Sequence, residues 1–187
     1  MRGFRFQSKA EATQNRVTIV FMSACAPLVL ILTLLSGQAG TLTFTKPAGW
    51  TDRPAASAMR VAEFVVPRAS GDSEDADVIV YYFAGGGGTA EANLQRWTTQ
   101  FESATKPART TSTVNGLQLT SLDISGTYVA EVRPGSSERF NKPGFRMRAV
   151  VVDTPKGPYF VKLTGPAATV DKAGTAFDQF LQSLSFK

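Results

Sequence analysis

The chain has 187 residues, 43% of them hydrophobic, with 20 Lys and Arg against 15 Asp and Glu, a formal charge of +5, no histidine and one cysteine, Cys25. That inventory excludes internal disulfides, Cys/His zinc sites, haem with a His or Cys axial ligand, and any triad with an imidazole base. The first 39 residues hold four basic residues and one acidic one, which leaves +2 for the remainder, so the charge lends no support to nucleic-acid binding.

In chain order, residues 1–16 form a basic segment with Arg2, Arg5, Lys9 and Arg16 against Glu11. Residues 17–39 are hydrophobic and contain the uncharged run Val17 to Gly37, which reads as a signal peptide or a membrane anchor. The run is long enough for a transmembrane helix. Gly37-Gln38-Ala39 places small residues where a signal peptidase cuts, so a mature chain would begin at Gly40. A third reading lipidates Cys25, which follows Met22-Ser23-Ala24. In each case the basic flank stays inside. The expected location of residues 40–187 is therefore across the cytoplasmic membrane, periplasmic or anchored with the domain outside.

Thr41 to Thr45 reads as a short strand, Pro47-Ala48-Gly49 as a turn before Trp50, and Met59 to Val66 as a second strand. An acidic turn, Gly71 to Asp77, leads to Val78 to Phe83. That strand is apolar at alternate positions on both faces, so it is expected at the centre of a sheet with cover on each side. The glycine run Gly85 to Gly88 follows, and Thr89 caps a helix whose stripe is Ala90, Leu94, Trp97 and Phe101.

Beyond Pro107, Arg109 to Val114 and Leu117 to Tyr128 form a hairpin across Asn115-Gly116. Val129 to Gly144 reads as a long surface loop, and Arg146 to Asp153 with Pro158 to Thr164 as a second hairpin. After the break at Gly165-Pro166, a final helix carries Val170, Ala173, Phe177, Phe180, Leu181 and Leu184. Three strands, a helix, four strands and a helix describe a single α+β domain over residues 40–187, with a largely antiparallel sheet and one helix on each side.

This order, with Trp50 after a Pro-x-Gly turn and an ending in Phe-Leu-Gln-Ser-Leu, resembles the PsbP-like and DcrB-like fold family. More narrowly, Ser57 to Phe64, Asp75-Ala76-Asp77 into Tyr81-Tyr82-Phe83, Ala92 to Trp97 and Lys162 to Pro166 are similar to an uncharacterised group of exported bacterial proteins. The resemblance implies an α/β/α sandwich and brings no activity, cofactor or site residue with it.

Four constellations carry candidate chemistry. The glycine run before a helix suggests a phosphate cradle, but no Gly-Lys-Ser/Thr follows, and a close-packed turn is the expectation. Asp72, Glu74, Asp75 and Asp77 are the candidate ligands for a hard cation, although the loop departs from the EF-hand pattern. Ser103 to Lys106 matches Ser-x-x-Lys without the partner motifs of that chemistry. Arg133, Arg139, Lys142, Arg146 and Arg148, with Phe140 and Phe145 interleaved, are the candidate partner surface. No catalytic residue, cofactor or nucleic-acid contact is assigned.

The expected function is thus a non-enzymatic binding or accessory domain of the bacterial cell envelope. It would take an envelope protein or small ligand at a sheet edge or the Val129 to Gly144 loop, with membrane contact through an uncleaved N-terminal segment. The alternative is a periplasmic hydrolase using carboxylates from Glu63, Asp123 and Asp153, all in expected strands.

Overall fold

A computed structural model of the chain describes residues 40–187. The expected basic segment, the apolar segment and Cys25 lie outside the described residues. Among the described residues, no helix is long and apolar enough to cross a membrane.

The elements are β1 (Leu42–Thr43), β2 (Thr51–Arg53), β3 (Arg60–Val66), β4 (Ala76–Tyr82), α1 (Ala90–Thr98), β5 (Phe101–Glu102), β6 (Ala108–Val114), β7 (Leu117–Tyr128), β8 (Lys142–Val152), β9 (Tyr159–Pro166), α2 (Ala167–Lys172), α3 (Gly174–Gln182) and β10 (Ser185–Phe186). One sheet runs β2-β3-β4-β9-β8-β7-β5, with β6 also paired to β7, and every pairing is antiparallel. β1 and β10 make a separate two-stranded pair. The expected α+β class with a largely antiparallel sheet is therefore what the chain forms.

The Asn115-Gly116 hairpin closes as its sequence predicts: both residues have positive φ and Val114 stands opposite Leu117. Thr89 caps α1, its hydroxyl accepting from the Ala92 amide.

Several boundaries differ from expectation, and β2, β5 and β10 are strands the expected order lacked. α1 stops at Thr98, where the hydroxyls of Thr98 and Thr99 donate to carbonyls of the preceding turn, a local competition with the helix. Phe101 falls instead in β5 opposite Tyr128, still buried. β8 begins at Lys142 rather than Arg146, because pairing to β7 and β9 outweighs the turn character of Pro143-Gly144.

Gly165-Pro166 does not break the chain but completes β9, opposite Arg146 and Phe145. A Cβ at Gly165 would lie 2.4 Å from that of Ala76, so the glycine serves strand contact. The single C-terminal helix is in fact two, α2 and α3, meeting at Ala173.

Strand alternation sends side chains to two faces. On the closed face, Val78, Val80, Val150, Val152, Val161 and Leu163 pack under Val170, Phe177, Phe180, Leu181 and Leu184, with Trp50 and Phe64 joining from the N-terminal side. On the open face, Leu122, Ile124, Met147, Ala149, Val151 and Phe160 pack with Leu94 and Trp97 of α1. Trp97 is 3% exposed, as its place in the helical stripe predicts. The single nine-residue α1 packs over β7 and β8.

Candidate functional site

The expectation that β4 is covered on both faces holds for one face only. Ala76, Val78 and Val80 are fully buried on the closed side, whereas Asp77, Ile79 and Tyr81 on the open side are half-buried and line a cavity of about 560 Å³. Lys162 and Thr164 of β9 continue its floor, in register with Ile79 and Asp77. Arg96, Thr99 and Gln100 from the end of α1 form one wall, and Tyr128, Lys142 and Phe145 another.

The remaining wall is the segment expected as a loose surface loop. It is pinched into a small hairpin by the Glu131 to Arg139 bridge and by the pairs Val132 to Glu138 and Phe140 to Ala130. That closure places Arg139 and Phe140 against the cavity.

Within this space the acids are taken up by the protein. Glu63, 3% exposed beneath the rim, accepts from Arg60 at 2.9 Å and from the Ala56 amide at 2.6 Å. Asp77 pairs with Arg53 at 2.8 Å, Glu74 pairs with Lys142, Asp75 accepts from the Arg68 amide, and Glu131 from the Gly135 amide.

Three cations differ. Lys162, Arg96 and Arg139 have no carboxylate within 4.0 Å among the described residues; Lys162 Nζ donates to Gln100 Oε1 at 3.0 Å and lies over the Trp97 ring, Arg96 donates to Asn93, and Arg139 to the Val129 carbonyl. The Lys162 pKa falls to about 8, because burial disfavours the charge and the Arg96 and Arg60 guanidiniums repel it. The hydroxyls of Tyr81 and Tyr128 have no hydrogen-bond partner among the described residues. Burial raises both phenols, Tyr128 to about 12 with further contributions from Tyr81 and Asp77.

The residues singled out in the sequence are distributed differently. Asp72, Glu74, Asp75 and Asp77 do not converge: Asp72 accepts from Thr169 while the other three go to Lys142, the Arg68 amide and Arg53, and among the described residues no three acids gather around a common point. The basic set divides as well. Arg146 and Arg148 turn to the closed side, where Arg146 pairs with Asp123 and Asp171 and Arg148 with Asp178. Arg133 is exposed on the hairpin, and only Arg139 and Lys142 reach the cavity.

Glu63 lies on the open face of β3, Asp123 on the closed face of β7 with Arg146, and Asp153 is exposed just beyond β8, so these carboxylates do not face one another. The glycine run is a packed turn: Gly87 has φ +94, a Cβ there would lie 2.8 Å from Phe160, and Asn93 donates to the Gly87 and Thr89 carbonyls. Ser103 sits at positive φ in an exposed turn. A smaller groove of about 350 Å³ between β6 and α3 has its charges paired, Asp123 with Arg146 and Arg148 with Asp178.

Sequence reasoning missed Tyr81, Arg96, Tyr128 and Lys162 as site residues. The signal for Lys162 was available, since it is the one charge inside the otherwise apolar strand Tyr159 to Leu163. A lysine at such a position needs a polar space in front of it.

No family model matches the chain, and no curated protein matches it. Solved structures similar to it include PA94, a protein of unknown function from Pseudomonas aeruginosa, at 18% identity over 77% of this chain and 96% of that one, with a TM-score of 0.49. Another is cyanobacterial PsbP (CyanoP) from Synechocystis sp. PCC 6803, at 16% identity over 78% of this chain and 86% of that one, with a TM-score of 0.46. At these identities and scores neither likeness assigns a family or a function.

Proposed function

We propose that the chain is an exported, non-enzymatic binding domain of the bacterial cell envelope, of PsbP-like or DcrB-like type, and that it holds a small ligand in the open-face cavity. The observation that carries the reading is the half-covered sheet. A strand with apolar side chains on both faces leaves Ile79 and Tyr81 facing a concave space of about 560 Å³, within the size range of small-molecule sites. Export rests on the basic segment followed by an uncharged apolar run. The hydrolase alternative would draw on Glu63, Asp123 and Asp153, which stand on β3, on β7 and just beyond β8.

Two measurements test this. A reporter fused after Lys187 is expected to be active outside the cytoplasm, and activity inside would overturn export. Native mass spectrometry of the full chain taken from its own envelope is expected to show a bound small molecule that Ile79→Trp, which puts an indole on the cavity floor, displaces. Saturable turnover on a hydrolase panel, abolished by Glu63→Gln, would replace the binding reading with an enzymatic one.

A further inference from the structure

The cavity has a mismatch between donors and acceptors. Two of its acids are paired, Asp77 with Arg53 and Glu74 with Lys142, while Asp75 and Glu131 are exposed and each accept one backbone amide. Away from those two exposed acids, the spare groups are donors. Lys162 and Arg96 have no carboxylate partner among the described residues, and the Tyr81 and Tyr128 hydroxyls have no protein acceptor there. These four come from β9, α1, β4 and β7, so the sheet and its helix bring them to one space from positions distant in sequence.

All four border the same cavity. Arg96 is also among the charges that depress Lys162, and Tyr81 among the groups that raise Tyr128. A desolvated ammonium facing a guanidinium with no acid between them is unfavourable, and an anion placed there relieves it. The phenol O–H groups would donate to the same anion, and those hydrogen bonds are charge-assisted too.

Beside this polar end stands an aromatic wall. Tyr128 stacks on Phe140 at 5.7 Å and 22° and on Phe145 at 6.1 Å and 11°. Lys142 covers both phenylalanine rings at 5.1 Å while it pairs with Glu74, so its charge is already compensated. These rings and Lys142 thus cover one another and close that side, while the half-buried Ile79 is the apolar surface on the floor of the cavity.

Resting on the reading of this cavity as a ligand site, we propose that it binds a small organic anion. The acidic head is held by Lys162, Arg96 and the Tyr81 and Tyr128 hydroxyls, and the apolar body lies over the half-buried Ile79 on the cavity floor. A carboxylate or a phosphate head satisfies the same donors. The bland account of Lys162, a lysine already content with Gln100 and the Trp97 face, predicts no dependence of any ligand on its charge.

The experiment uses the purified full chain in nonionic detergent and three probes of one shape: benzoate, phenyl phosphate and the neutral benzamide. Titration calorimetry, with NMR of the Tyr81 and Tyr128 rings to locate binding, is expected to show benzoate or phenyl phosphate binding at least tenfold tighter than benzamide. The tighter of the two identifies the head. Lys162→Met and Arg96→Gln, checked for unchanged near-UV circular dichroism, are each expected to weaken that probe at least tenfold and to leave benzamide unaffected.

Equal affinity for benzamide, or anion affinity unchanged in both variants, overturns the anionic ligand while leaving the cavity a binding site. If none of the three probes binds, the anionic proposal also falls. The envelope mass spectrometry then decides the broader reading independently.

Discussion

The two faces of this sheet are built from the same alternating strands and end in opposite conditions. The closed face is sealed by α2 and α3, and its aromatic contacts are internal: Phe180 lies 5.1 Å from Phe44, 5.5 Å from Trp50 and 6.1 Å from Phe64. Its charges sit at the rim in matched pairs, and Asp123 raises the Arg146 pKa so that the guanidinium stays charged. The open face receives one short helix, leaving β3, β4 and β9 to border a cavity in which Lys162 has no carboxylate within 4.0 Å among the described residues. One face is organised for stability, the other carries groups that cost stability.

The sharpest test of this contrast is truncation of the two aromatic anchors. Phe180→Ala is expected to cost about 5 kcal/mol, at the top of the range for a buried ring, because Phe180 is fully enclosed on the closed side. Trp97→Ala is expected to cost about 3 kcal/mol, since Trp97 packs beside a space that the neighbouring side chains can relax into. Denaturant midpoints measure both, and a reversed order would break the assignment of stability to the closed face.

Next in size is Gly165→Ala. The added methyl meets Ala76 at its Cβ and at its Cα, 2.7 Å away, and the backbone of a central strand cannot step aside. A loss of about 1–3 kcal/mol is expected, typical of overpacking. An unchanged midpoint would show that β4 and β9 can separate freely.

The smallest effect has the opposite sign. Lys162→Met is expected to stabilise the protein by about 1 kcal/mol at pH 7, because it removes a desolvated, repelled charge. The titratable groups bordering the same cavity are Arg60, Glu74, Asp75, Asp77, Tyr81, Arg96, Tyr128, Glu131, Arg139 and Lys142, of which the Arg96 and Arg60 guanidiniums act on Lys162. Asp77 and Lys142 are already paired, so the guanidiniums dominate.

The folded pKa of about 8 is below the unfolded 10.5, so unfolding takes up a proton and the wild-type protein gains stability as pH rises through that window. The advantage of the methionine variant should therefore be largest below pH 8 and fade toward pH 10.5. Thermal melts across that range measure it. Destabilisation at pH 7 would mean that Gln100 and Trp97 make Lys162 a structural residue.

Much of the architecture could be read in the chain because it depends on short-range rules. Asn115-Gly116 specifies its hairpin through positive φ at both positions, Thr89 starts α1 through its hydroxyl, and the stripe through Leu94 and Trp97 identifies the side that packs. The glycine run was legible as a tight turn for the same reason. The ends of elements were harder, since Lys142 and Gly165-Pro166 join the sheet through partners far away in sequence.

The apolar run Val78 to Phe83 marks the limit of that reading. Its sequence determined that both faces of β4 would be unusual, and on the closed side this became ordinary burial. Only the tertiary structure decided that α1 covers β7 and β8, so that Ile79 and Tyr81 border a cavity. Likewise the sequence determined which carboxylates and cations exist, while sheet order decided their company: Asp123 received Arg146, Glu74 received Lys142, and Lys162 received none among the described residues. Hydrophobic periodicity is a property of one segment, whereas charge neutralisation depends on which segments meet, and that is settled by packing.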